Sequence, residues 1–156
     1  MGFGFRLILV ALGLVGQASS APPAPGALES LTATEKGQLE REPNVDNRIR
    51  VYEAANLRFQ KQVEGEFQND EFDRIPPQLG AWTEMLETSR KDVEANANRK
   101  KKSRAVIRYE IQLRKTISEV KNLALKATAD HQKYLEDWLN SAERVRKSLV
   151  DVLFQR

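Results

Sequence analysis

The chain has 156 residues, 30% of them charged and 7% aromatic, with one histidine and no cysteine. The missing thiols exclude a disulfide framework, a lipidated N-terminal cysteine and c-type haem attachment, so an exported form would be held by its apolar core alone. A net charge of +3 conceals opposed halves: residues 29–98 carry 15 acidic and 9 basic side chains (net −6), and residues 99–156 carry 7 and 15 (net +8).

Residues 1–20 have the three regions of a secretory signal peptide. Arg6 supplies the positive start, Leu7 to Val15 the apolar run, and Gly16-Gln17-Ala18 the small residues before a cut, which is expected between Ala18 and Ala21. The run is about half of the roughly 20 apolar residues needed to span a membrane, which disfavours an uncleaved anchor. Residues 21–31, with Pro22, Pro23, Pro25 and Gly26, read as a flexible leader. The remainder, 32–156, reads as one all-α domain.

Thr32 and Glu35 form a capping box for a short leading helix that stops before Pro43. Val45, Ile49, Tyr52, Phe59, Val63 and Phe67 mark a second helix, with Asn44 or Asp46 as its cap. Leu79, Trp82, Leu86 and Val93 mark a third, which Pro76 and Pro77 suit at its first turn. After Gly80 there is neither Gly nor Pro in the remaining 76 residues, so this stretch reads as long helix with polar turns. Val106, Tyr109, Leu113, Ile117, Val120, Ala124 and Ala127 step by three or four, and Tyr134, Trp138, Ala142, Val145, Leu149 and Val152 continue the rhythm. Turns are expected near 68–77, 97–104 and 127–131. No breaker marks the last, and a continuous rod of about 75 Å is the alternative there.

A shift of 56 residues places Leu79, Trp82, Glu87, Arg90, Lys91 and Val93 on Leu135, Trp138, Glu143, Arg146, Lys147 and Leu149, and a shift of 57 places Tyr52-Glu53 on Tyr109-Glu110. The simplest account is a duplicated helical hairpin, 45–97 and 104–154, folded as a four-helix bundle-like body. The runs Arg48-Ile49-Arg50-Val51-Tyr52 and Tyr109-Glu110-Ile111-Gln112-Leu113-Arg114-Lys115, behind a signal peptide, resemble exported helical proteins of environmental bacteria that are themselves uncharacterised. That resemblance implies a helical fold and bacterial export, periplasmic or secreted, and carries no activity.

Arg99, Lys100, Lys101, Lys102 and Arg104 form the densest basic segment. It reads either as a solvated turn, favourable at the C-terminus of the preceding helix, or as an anion-binding patch. Nucleic acid is not the expected partner, because no aromatics interleave the cluster. Catalytic and metal patterns are weak. His131 has Thr128, not Glu, three residues before it, and reads as a structural histidine. Asn69, Asp70, Glu71 and Asp73 have Arg74 where a calcium loop needs Gly. Trp82 and Trp138 read as core anchors, or else as an exposed pair that grips a partner. The expectation is a non-enzymatic exported protein without a cofactor. It would bind a protein partner in the envelope or, alternatively, an anionic lipid or polymer surface through 99–104.

Overall fold

Each helix boundary can be traced to a few residues. In the computed structural model, which describes residues 29–154, α1 spans Ala33–Arg41. Thr32 N–H donates to Glu35 Oε2 at 2.8 Å and Glu35 N–H to Thr32 Oγ1 at 3.2 Å, so two otherwise orphaned amides are satisfied reciprocally. Pro43 forces Glu42 into extended geometry and ends the helix. The expected signal peptide and almost all of the leader lie outside the described residues.

α2 spans Val45–Gln68 and is capped by Asn44, whose Oδ1 accepts from Asp46 N–H at 2.8 Å. It ends in a Schellman turn: Glu71 N–H reaches Glu66 O at 2.9 Å and Asp70 N–H reaches Phe67 O at 3.4 Å. Asp70, at φ 57°, occupies the left-handed position usually held by glycine. A 3-10 turn, Phe72–Arg74, leads into α3, Ile75–Asn96, with its prolines in the first turn. α3 therefore starts earlier than a turn reaching to 77 would allow.

α4, Arg104–Ala124, begins at Ser103, whose Oγ accepts from Val106 N–H and donates to Asp46 Oδ1. α5 spans Ala129–Phe154. A continuous rod is overturned: Lys126 and Ala127 tighten the end of α4 with bonds to Leu123 O and Ala124 O, and Thr128 O starts α5 by accepting from His131 and Gln132 N–H. This break falls slightly before the expected 127–131.

All regular elements among the described residues are helical, and none of these helices is long and apolar enough to cross a membrane. α2 packs on α3 and α4 on α5; α3 also packs on α5 and α2 on α4, while α1 lies against α2. One core joins α2 through α5, with Ile49, Phe59, Val63, Ile75, Met85, Leu86, Val106, Leu113, Leu135 and Leu149 fully enclosed. Tyr134 departs from the expected stripe and is exposed, because the residues that face the core around it are Leu135 and Trp138.

α2 and α4 run in the same direction at a nearly constant offset. Ser103 bonds Asp46, Arg108 bonds Glu53, Asn56 bonds Gln112 and Thr116 bonds Gln60. Between α3 and α5, Trp82 meets Trp138 with ring centroids 4.2 Å apart, and Ser148 donates to Glu94.

Candidate binding site

The buried stripe of α4 is Val106, Tyr109, Leu113, Ile117 and Val120. Ile107 and Ile111, one turn apart, lie off that stripe and remain more than a third exposed. A stable helix needs only one apolar face, so apolar residues on a second face call for a different explanation. Together with Val150, Leu153 and Phe154 of α5 they line a groove of about 360 Å³, bordered by Lys102, Glu110 and Arg114. Glu110 is engaged by Arg146 Nε at 2.9 Å and, more loosely, by Arg114 Nε at 4.0 Å, so the one acid of the rim is matched and the rim is cationic on balance through Lys102 and Arg114. Phe154 is 65% exposed, and Lys102 Nζ sits 4.7 Å from the centre of its ring, a cation–π contact that holds the lysine against the apolar floor.

The segment 99–104 adjoins this rim. Arg99, Lys100, Lys101, Lys102 and Arg104 are all exposed, and the ion pairs formed among the described residues use other cations. Arg99 makes one long bond, 3.4 Å, to Glu94 O. Asn98 shapes the turn by accepting from Lys100 N–H through its side chain and from Lys101 N–H through its carbonyl. The five cations are presented to solvent beside a greasy groove, not spent on internal pairing.

At the other end of α4 lies a larger cleft of about 800 Å³. Phe67, Phe72, Leu123 and Leu125 form its apolar walls, and Glu64, Asp70 and Glu119 outnumber Lys126 around it. Leu125 is 83% exposed. His131 stands beside Phe72, ring centroids 5.2 Å apart, and its Nδ1 pairs with Thr128 Oγ1 at 2.8 Å. Its position is that of a packing residue that ties the loop to α5. Among the described residues no group of three His, Asp or Glu side chains could hold a metal ion. Asn69 to Asp73 forms the helix-ending turn already described.

Trp82 and Trp138 are 0% and 1% exposed, so neither indole can reach a partner. Their environments differ. Trp82 Nε1 donates to Asn56 Oδ1 at 2.9 Å, and Asn56 donates in turn to Thr116 Oγ1 at 3.0 Å. Trp138 Nε1 is buried without a partner.

The buried polar groups serve architecture. Arg48 makes a bidentate pair with Asp92, and Tyr52 O–H donates to the same carboxylate at 2.9 Å. Burial alone would raise the Asp92 pKa, but bonds from Arg48, Tyr52 and Asn96 hold it below the usual carboxylate range. Burial also pushes the Tyr52 and Tyr109 phenols far up, which keeps both neutral hydrogen-bonding groups. The members of these clusters tie helices together.

Ile107, Ile111, Leu125 and Phe154 are absent from a reading based on charge runs and tryptophans. The available signal was the position of Ile107, Ile111 and Phe154 outside the stripe of their own helix; Leu125 lies just past the end of α4. Comparison of the chain with family models, curated proteins and solved structures yields no match.

Proposed function

We propose that this chain is an exported, non-enzymatic helical protein of the bacterial envelope that binds a partner protein through the groove between α4 and α5. The observation that carries this reading is the concave apolar strip of Ile107, Ile111, Val150, Leu153 and Phe154 with its cationic rim. A groove of this shape receives protruding side chains of another folded surface, whereas a bilayer would favour a convex apolar ridge. The rim selects for acidic groups, and the exposed cations of 99–104 steer the encounter. Export rests on the residue pattern of 1–20.

The same reading takes the body as a four-helix bundle built from a duplicated hairpin. Supporting it, the offset that superposes the two sequence halves is close to the one at which α2 pairs with α4. Two copies of one hairpin placed side by side in register would bring equivalent residues together, as Trp82 and Trp138 are.

The exposed, unpaired state of Arg99 to Lys102 and Arg104 favours a second reading, adhesion to anionic lipid or polymer. Affinity capture from envelope extract at rising salt tests both. Binding lost in Ile111→Asp and weakened by salt, but not abolished by it, is expected for the groove. Binding lost in the triple change Lys100→Glu, Lys101→Glu and Lys102→Glu, retained in Ile111→Asp and eluted by salt would replace the groove with the basic segment.

A further inference from the structure

We infer that the partner of the α4/α5 groove is a second copy of this chain, seated head to tail by the acidic cleft at the far end of α4. The inference rests on the groove reading above and adds the identity of the occupant. The two most exposed large apolar side chains in the described structure, Leu125 and Phe154, stand one at each site. The rims differ in the sign of their balance: Lys102 and Arg114 outnumber Glu110 at the groove, and Glu64, Asp70 and Glu119 outnumber Lys126 at the cleft. The cleft, at about 800 Å³, has room for an aromatic ring together with the lysine stem stacked on it. Phe67 and Phe72 already meet edge to face in its wall, 5.8 Å apart, a surface suited to a third ring.

One copy cannot satisfy both sites itself. Ile107 and Leu123 are separated by 16 residues of unbroken helix, about 24 Å at 1.5 Å per residue, so groove and cleft are held apart. The contact is therefore intermolecular and joins unlike surfaces, which generates a ring if the rotation closes and an open chain if it does not. Screening over about 8 Å at physiological salt sets its ionic-strength dependence.

Sedimentation velocity of the purified chain across concentration provides the test. The expected result is reversible association beyond the dimer at low salt, weakened about tenfold or more by high salt. Phe154→Asp and Leu125→Asp lie at exposed positions, and circular dichroism confirms that each variant folds. Each alone is expected to be monomeric, because each lacks one half of the contact. Mixed in equal amounts they are expected to form a one-to-one dimer and nothing larger, since one intact groove and one intact cleft remain. A monomer at every concentration, or a symmetric dimer that survives both substitutions, overturns the inference. Capture of an envelope protein that is lost in Ile111→Asp while the chain stays monomeric would leave the groove standing with a foreign partner; capture and self-association both indifferent to Ile111→Asp would remove the groove itself.

Discussion

The helix pair α2–α3, the first hairpin, and the pair α4–α5, the second, differ in what they do with polar groups. In the first, Asn56 sits fully buried between α2, α3 and α4 and satisfies Trp82; in the second, the residue 57 positions on is Leu113, and Trp138 has no acceptor. In the first, Arg48, Tyr52 and Asp92 clamp α2 to α3; in the second, Tyr109 lies fully buried and turns instead to Ser89 of α3, 2.8 Å away. The surfaces differ in the opposite sense. Of the six exposed large apolar residues among the described ones, Leu57 alone belongs to the first hairpin, and Ile107, Ile111, Leu125, Tyr134 and Phe154 belong to the second or its loop. Hydrogen bonds specify geometry and exposed apolar surface suits recognition, so under the proposed function the first hairpin is the scaffold and the second the face it presents.

The largest test of this contrast removes the tryptophans. Trp138→Ala is expected to cost about 3–4 kcal/mol in urea unfolding, and Trp82→Ala about 1 kcal/mol more, because it also strands the Asn56 carbonyl oxygen. The two rings touch, so the double variant should cost less than the sum. Equal costs would mean that the polar contact contributes nothing beyond packing.

Making the first hairpin resemble the second is the next test. Asn56→Leu leaves the Trp82 N–H without an acceptor in a dry site and is expected to destabilise by about 2 kcal/mol. A neutral or stabilising outcome would show that the apolar solution at Leu113 is as good, and that the asymmetry has no energetic meaning.

The extent to which this was legible in sequence follows the same division. The capping box at Thr32, the cap at Asn44, the stop at Pro43 and the burial stripes are local patterns with direct structural consequences, and they placed the helices within a few residues. The end of α4 was harder, because its turn is made by backbone bonds of Leu123 to Thr128 with no glycine or proline to announce it. The grooves were hidden for a different reason. Whether Ile107 or Phe154 is exposed depends on which helix packs alongside, and that is decided by contacts between residues far apart in sequence. Charge counting drew attention to 99–104 but could not show that an apolar groove lies next to it.

Two carboxylates sharpen the comparison through pH. Asp92 is held below the usual carboxylate range, so in the folded state it releases its proton more readily than in the unfolded chain. Its stabilisation is present above the unfolded pKa and is lost as pH falls through the lower, folded one. Asp92→Asn should therefore cost about 1–2 kcal/mol at neutral pH and progressively less in acid. Glu66 has the opposite sign. Burial, opposed by Arg74 and reinforced by Glu71, raises its pKa, and Oε2 has no partner. The folded state holds this proton more tightly than the unfolded one, so wild-type stability falls as pH rises through the raised value. Glu66→Gln is expected to stabilise by about 1 kcal/mol at neutral pH, a gain that shrinks on acidification. The residue 57 positions later is Leu123, so the second hairpin has no corresponding acid.

The smallest expected effect separates the two hairpin turns. Asp70 must hold φ at 57° for the Schellman bonds that close α2, a conformation that glycine adopts without steric cost. In the described residues of the second hairpin, no residue takes a positive φ. Asp70→Gly relieves the strain but adds freedom to the unfolded chain, so the net gain is expected to be only about 0.5 kcal/mol. Asp70→Ala keeps the Cβ and loses the short polar side chain that tolerates this region, and should cost about 1 kcal/mol. If both substitutions are neutral, the turn is set by the packing of Phe67 on Phe72 and not by the backbone of residue 70. The second hairpin offers the control. Lys126→Gly lies in a turn closed by short-range bonds without a left-handed residue, so there glycine should destabilise by a few tenths of a kcal/mol and reverse the sign seen at Asp70.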